Sequence, residues 1–494
     1  MTNEENTAKS TITSRETDFS EWYLDIIREA NLAENSPVKG AMVIRPYGYA
    51  IWEKVQLVLD LEFKKRGTEN AYFPLLIPVS FLEKEAKHVE GFAKECAVVT
   101  HHRLEEIDGK LVPAGKLEEP FVIRPTSETI IHDAVSKWIN SYRDLPLILN
   151  QWCNVMRWEL KTKPFLRTSE FLWQEGHTAH TTKAEANSKT REMLQVYKDF
   201  LEGYMAISII DGVKTESEKF AGAEYTTTVE ALMQDGKALQ SGTSHMLGQN
   251  FAKSFDIKFL DENQEHQFVW QTSWGVSTRL IGAMIMTHSD DKGLILPPKM
   301  AQFQVVIIPI FGNEDDKKVV MQKVQKIKID LEKEGILYKV DEREGRPGFK
   351  YFEWERKGVP LRMEIGPKDV TNNSVVLVER INSKKEFIQD DVVISTVKST
   401  LETIQNTLLE NSKKFRIDNT REVSSYKEFK NIIENKKGFV FAYLCLDPIC
   451  EEKIKEETQA SSRCIPFEGG LGNSGTCIYC NNNAPNKVLF AKAY

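Results

Sequence analysis

The twelve residues SEFLWQEGHTAH, positions 169–180, constrain the fold more than any other stretch. They carry no 3.6-residue apolar period, contain Gly176 and are rich in aromatics and threonine, so they predict a strand, whose period is two. Phe171, Trp173, Glu175, His177 and Ala179 then share one face, and His180 lies on the other. On a helix the HxxH spacing would let His177 and His180 meet on one zinc ion; on a strand they diverge. Two readings stay open for the Trp173, Glu175 and His177 face: the wall of a small-ligand pocket, or a half-buried sheet face whose polar groups are satisfied. Residues 147–159 read as the partner strand and 160–168 as a loop with Lys161, Lys163 and Arg167. Together they make a long-looped antiparallel hairpin.

Around this hairpin, 494 residues with 41% apolar content predict several domains. Residues 1–18 are polar and are expected to be a disordered tail. Residues 46–66 predict a helix with apolar Ile51, Val55, Val58, Leu59 and Leu61, ended by Gly67 and followed by the strand AYFPLLIP. FVIRPTSE predicts a strand-to-helix turn that places Thr126 and Glu128 where ligand-contacting groups are often found. Thr182 and Glu185 form a capping box for a helix with the stripe Met193, Val196, Tyr197, Phe200 and Tyr204. SWGVSTRLIGAMIMTH runs from strand into helix with Arg279 in the first turn and Leu280, Ile281, Met284 and Ile285 toward the core. From Phe303, strands alternate with helices, which predicts a separate α/β domain. The expected boundaries are 19–298, 302–402 and 403–494.

Lys and Arg total 65 against 72 Asp and Glu, a net charge of −7 that argues against non-specific polyanion binding, DNA included. No apolar run reaches bilayer length and the first residues lack a signal-peptide core, so no membrane association and a soluble, cytoplasmic protein are expected. Five of seven cysteines fall in the last fifty residues, a pattern of metal ligands rather than disulfides. There is no GxxxxGK[ST], HExxH or GxSxG motif. GLGNSG at 470–475 matches GxGxxG but opens no helix after a strand, so it reads as a turn. A bound triphosphate would therefore be held by arginines, and Arg157, Arg167 and Arg279 are placed to do so.

Their order along the chain resembles the class II aminoacyl-tRNA synthetases, and among these the prolyl-tRNA synthetases of archaeal and eukaryotic type. The resemblance is carried by NAYFPLLIP after a long helix, RPTSE, RWELKTKPFLRTSEFLWQEGHTAH, QSGTSHMLGQNF, QTSWGVSTRLIGAMIMTHSDDKGLILPP, PGFKYFEWERKGVPLRMEIGPKDV and the C-terminal cysteines. It spans residue 19 to the end, with RPTSE and PGFKYFEWE its most specific segments.

The resemblance implies an α/β multidomain fold: an α+β catalytic domain on an antiparallel sheet, an α/β anticodon-binding domain and a small α/β zinc-binding domain. It implies ATP-dependent ligation of L-proline to tRNA(Pro) through prolyl-adenylate. Arg157 would hold the α-phosphate, Glu159 the base or an amino group, Arg167 and Thr168 the outer phosphates and nucleotide, Gln240 and Thr243 the nucleotide's other side, and Arg279 the γ-phosphate. Arg157, Glu159 and Arg279 would form the catalytic set, with Mg2+ accompanying ATP.

The proline pocket would be walled by Trp173, Glu175 and His177, joined by Arg157, by Thr126 and Glu128 toward the imino nitrogen and by His245 on the far side. Glu175 has a second reading as a support for that wall. The helix at 46–66 resembles a dimer interface, so a homodimer is expected. In the 302–402 domain, Arg343, Arg346, Lys350, Arg356, Lys357 and Arg362 outnumber Glu344, Glu353 and Glu355 over 343–362, which fits phosphate contact.

Cys445 and Cys450 in CxxxxC spacing and Cys477 and Cys480 in CxxC spacing make a four-thiolate set suited to structural Zn2+, with Cys464 packed as a small apolar residue. Only fifty-nine residues separate His180 from Gln240, so no editing domain is expected there and alanine and cysteine are expected to be misactivated. A non-catalytic tRNA-binding paralogue would be expected to lose the three arginines, and a zinc-dependent nucleic-acid module would account only for the C-terminal cysteines.

Overall fold

The computed structural model of the chain describes residues 12–85 and 95–494. Its centre is a sheet of eleven strands in the order Thr420–Glu422, Phe439–Leu444, Asn486–Ala491, Ser461–Pro466, Ile209–Val213, Tyr225–Leu232, Ala238–Gly248, Trp270–Ser277, Glu170–His180, Leu147–Met156 and Glu69–Asn70. From Ile209–Val213 to Leu147–Met156 the pairing is antiparallel throughout. The helix Lys183–Gly203 covers one face of this sheet with buried Met193, Val196, Tyr197 and Phe200. Tyr204, expected in that stripe, is half-exposed because it is the C-cap, where the helix leaves the sheet.

Strand parity follows from this packing. Gln174 bonds the Tyr197 hydroxyl at 2.6 Å on the helix-covered side, so Trp173, Glu175 and His177 occupy the opposite, open face. Gly176 shares the covered face, and a Cβ there would lie 2.1 Å from the Trp274 indole, so only glycine fits beneath that ring. The capping box forms as expected: Glu185 N–H donates to Thr182 Oγ1 at 3.2 Å and Thr182 N–H to Glu185 Oε2 at 3.1 Å.

Several expectations are corrected. Residues 1–11 of the expected tail lie outside the described residues, but 12–18 are packed. Ile12 is buried, Thr13 N–H donates to Asp25 at 2.7 Å, and Arg15 pairs with Asp291 at 3.1 Å. The expected 46–66 helix spans Pro46–Lys64, and its core face is Ile51, Trp52, Val55, Leu59 and Phe63. Leu57 and Leu61 point to solvent, 54% and 52% exposed, because a helix this long presents a narrower buried stripe than its apolar content suggests. The strand after it is only Leu76–Pro78, since Pro74 lacks the N–H a longer ladder needs. A long hairpin, Val98–Ile107 with Lys110–Ile123, was foreseen in the sequence only at its last residues, the short strand that opens FVIRPTSE. Its Asp108-Gly109 turn has positive φ at both residues, the requirement of a type I′ turn.

Five strands, Val305–Pro309, Tyr338–Val340, Leu361–Ile365, Ser374–Glu379 and Lys385–Gln389, build the second sheet. It packs on the helices Glu314–Lys333 and Val393–Asp418 through Val305, Ile307, Val324, Leu331, Val397 and Ile404. The helix Val393–Asp418 runs through the boundary expected at residue 402. The last domain is likewise continuous with the first, because Ile465 pairs with Val213 and Pro466 with Gly212 and extend the central sheet.

Candidate active site

Antiparallel register sets the floor of a cavity of about 450 Å3 on the open face. One row across four strands runs His245, Ser273, His177 and Leu149; the next runs Thr243, Gly275, Glu175 and Gln151; a third aligns Ser277, Trp173 and Cys153. Gly275 sits at the centre. A Cβ there would meet only the Gln174 carbonyl, at 3.1 Å, so the missing side chain leaves the floor open.

Glu175 and His177 are both buried and joined, Oε2 to Nε2, at 3.2 Å. Burial alone pushes the His177 pKa down, but the hydrogen bond and charge of Glu175 outweigh it and hold the imidazole above its ordinary value. Glu175 is the complement: burial pushes it up, and His177 and Gln151 draw it below the usual carboxylate range. Gln151 Nε2 donates to Glu175 Oε1 at 3.0 Å. Glu175 is thus both a cavity wall and a strut. His245 is held by Thr226 and Thr243 at 2.9 and 3.1 Å, and burial lowers its pKa to about 3, so it faces the cavity neutral.

Thr126 donates to Glu128 where the strand gives way to the helix Glu128–Trp138. Arg157 follows the end of Leu147–Met156. Its Nε donates to the Pro125 carbonyl at 2.9 Å, and its guanidinium lies 5.4 Å from the Trp173 ring and 5.5 Å from Phe171. Burial lowers its pKa to about 10, opposed by Glu128, so it stays cationic at neutral pH. Arg279 opens the helix Arg279–His288, anchored by its Nε to the Leu166 carbonyl at 3.2 Å.

Thr126, Glu128, Arg157, Trp173, Glu175, His177, Gln240, Thr243, His245 and Arg279 all line this cavity. Glu159, Arg167 and Thr168 do not. Arg167 Nε pairs with Glu159 at 2.7 Å at the surface, and the Thr168 hydroxyl donates to the Glu170 carbonyl at 2.7 Å. Phe171 belongs to the wall by the same parity as Trp173. The segment Lys214, Glu218, Lys219, Phe220 and Ala221 also lines it and went unforeseen, since a polar loop gives no periodic signal.

The Sγ atoms of Cys445, Cys450, Cys477 and Cys480 lie within 4.8 Å of one another. Cys480 and Cys445 are 3.7 Å apart, close to the roughly 3.8 Å edge of a tetrahedron with Zn–S of about 2.3 Å. Burial pushes the Cys445 and Cys450 thiols up, whereas at Cys477 the backbone N–H groups of Cys480, Cys445 and Tyr479 outweigh burial and favour the thiolate a metal needs. This donor set fits a closed structural zinc site. Cys464 is fully buried in an apolar cluster apart from them, as expected.

The expected basic surface at 343–362 is largely neutralised internally. Arg343 pairs with Asp341 and Glu353, Lys350 Nζ is buried on the Asp341 carbonyl, and Arg356, Lys357 and Arg362 pair with Glu29, Glu353 and Glu364. Arg346 is exposed. Beside them lies a cavity of about 280 Å3 lined by Tyr351, Phe352, Trp354, Arg362 and Lys385 among others. Phe349, Phe352 and Phe387 are more than 60% exposed.

Residues 114–288 match the tRNA synthetase class II core domain (G, H, P, S and T), 304–400 an anticodon binding domain, and 426–494 the prolyl-tRNA synthetase C-terminal domain. A proline–tRNA ligase of Amoebophilus asiaticus is 54% identical over 97% of this chain and 99% of its own length. The chain belongs to the prolyl-tRNA synthetase family. Proline–tRNA ligases of Phocaeicola vulgatus and Flavobacterium johnsoniae are 53% and 52% identical, each over 98% of this chain and 99% of theirs. The class II core of a synthetase accounts for the antiparallel floor, and the anticodon binding match covers all five strands of the second sheet. Among the described residues no helix is long and apolar enough to cross a membrane.

Proposed function

We propose that this synthetase ligates L-proline to tRNA(Pro) in two steps within the 450 Å3 cavity. The identity to proline–tRNA ligases over nearly the whole chain carries the reading, and Arg157 and Arg279 on one cavity supply its chemistry. The proline ring lies against Trp173 and His177, with Glu128 and Thr126 receiving the imino nitrogen and His245 closing the far side. ATP lies along Gln240, Thr243 and Arg279; class II synthetases use it with Mg2+, which would screen the charge of the phosphates.

The proline carboxylate attacks the α-phosphorus and pyrophosphate leaves. Arg157 bonds the α-phosphate as charge builds there, so its contribution is greatest in the transition state. A ribose hydroxyl at the tRNA 3′ end then attacks the carbonyl carbon, and AMP leaves. The protein forms no covalent bond; positioning and charge do the work. Glu159 receives the base and Arg167 the outer phosphates, with Thr168, bonded to the Glu170 carbonyl, holding the turn beside them.

The second domain receives the anticodon, its exposed Phe349, Phe352 and Phe387 stacking on bases and the exposed Arg346 contacting phosphate. The four thiolates hold Zn2+ as a structural ion. Leu57 and Leu61, one turn apart and exposed, belong to the face through which two copies associate as a homodimer. The protein works in the cytoplasm. The interval between His180 and Gln240 is taken up by the helix Lys183–Gly203 and two strands of the central sheet, which supports the absence of an inserted editing domain. Proline-dependent exchange of pyrophosphate into ATP without tRNA tests the first step; folded protein that gives none would leave a tRNA-binding paralogue as the reading.

A further inference from the structure

The wall of the cavity from Lys214 to Ala221 follows a five-residue strand, Ile209–Val213, and carries the Phe220 ring 4.8 Å from His245. A five-residue strand and the loop after it do not by themselves fix such a wall. It is held from behind by the C-terminal domain at three points. Lys214 Nζ donates to Glu230 Oε1 at 2.9 Å, and Arg463 donates through Nε and Nη2 to Glu230 Oε2 at 3.0 and 2.9 Å. Thr215 Oγ1 donates to Glu451 Oε1 at 2.5 Å, and Ser462 donates to the same oxygen. Lys455 Nζ donates to Glu218 at 3.3 Å.

Glu230 is fully buried and shared by two buried cations, so the cluster keeps one net positive charge beside the cavity. Its Oε1 is taken by Lys214 and Thr228, and its Oε2 by Arg463. Removing Arg463 strips the buried Glu230 Oε2 of its hydrogen-bond donors and leaves Lys214 as the cation bonded to that carboxylate. The carboxylate and Lys214 must then rearrange together, and Lys214 begins the wall. Glu451 adds a second hold, and it is the residue after Cys450, so the thiolate cluster and the substrate wall are joined through one side chain.

We infer that Arg463 is a positioning residue for proline: through Glu230 it fixes Lys214 and, with Glu451 on Thr215, sets the wall that carries Phe220 against His245. The C-terminal domain thereby completes the amino-acid pocket of the catalytic domain. The inference rests on the assignment of this cavity to proline and ATP.

The test uses full-length Arg463→Gln, Arg463→Lys and Thr215→Val, with proline KM and kcat read from pyrophosphate exchange beside melting temperature and zinc content. Arg463→Gln raises proline KM about tenfold while kcat changes less than about twofold, and Arg463→Lys recovers part of the loss because it keeps the charge without the fork. A purely structural residue lowers melting temperature and active fraction without moving KM, and an unchanged proline KM in folded Arg463→Gln overturns the inference. Should Arg463→Gln not fold, Thr215→Val decides: it leaves the Lys214, Glu230 and Arg463 cluster intact, is expected to raise proline KM about threefold, and overturns the inference if KM stays unchanged. An Arg157→Ala variant that remains active would remove the site assignment itself; an inactive one beside unperturbed wall variants would remove only the coupling.

Discussion

Glu175 and His177, two residues apart on one strand, meet at 3.2 Å across the wall of the cavity, both buried. His177 titrates above its ordinary value and Glu175 below its own, so the pair is charged between the two. The raised histidine contributes stability fully present below its unfolded value of 6.5 and lost as pH rises through its folded pKa. The lowered carboxylate contributes stability present above 4.5 and lost as pH falls through its folded value. Proline KM is expected to rise on the alkaline side of 6.5 as the imidazolium is lost, by about three- to tenfold. His177→Gln should flatten that limb, and a wild-type KM that is level from pH 6 to 9 would show that the pair does not govern proline binding.

Gly275 leaves the cavity floor open between Thr243 and Glu175. Gly275→Ala adds one methyl group there and should raise the KM of proline or ATP about tenfold. The neighbouring clash is mild, with the Gln174 carbonyl at 3.1 Å, so melting temperature should stay close to that of the parent. Unchanged kinetics would mean that the substrates lie elsewhere.

Cys477→Ser together with Cys480→Ser removes half of the four-thiolate set. Zinc content should fall to zero and hydrogen exchange should accelerate across residues 426–494, because metal binding and folding of such a site are linked. One zinc per chain retained in the double variant would mean that other residues ligate it.

A pocket shaped for a five-membered ring excludes smaller side chains only weakly, since each missing methylene forfeits about 1–3 kcal/mol. Alanyl-adenylate should therefore form at a measurable rate, and preformed alanyl-tRNA(Pro) should persist in the presence of this protein. Its hydrolysis well above the spontaneous rate would reveal an editing activity in the chain.

Where local period and cap chemistry act alone, the sequence was sufficient. The parity of Trp173, Glu175 and His177, the Thr182 and Glu185 box and the Thr126 and Glu128 turn follow from rules spanning a few residues. What escaped depends on partners distant in sequence. Leu57 and Leu61 face solvent because the core takes only one stripe of their helix, and Pro466 joins the central sheet through Gly212, more than two hundred residues away. The 214–221 wall is polar and irregular, and only the fold brings it to His245 and to Arg463. The basic count at 343–362 overstated its free charge, because Asp341 and Glu353 lie within pairing distance only once that segment is folded.

Arg157 lies beside Trp173 and Phe171 and lines the cavity, and the proposed function makes it the side chain on which adenylate formation depends most. Pyrophosphate exchange by wild-type protein and by Arg157→Ala, compared with proline and ATP each near saturation, tests this directly. The account predicts proline-dependent exchange in the wild type and a loss of at least about a thousandfold in folded Arg157→Ala, with Arg157→Lys recovering little because one ammonium cannot replace the fork. Exchange by Arg157→Ala at the wild-type rate would contradict it.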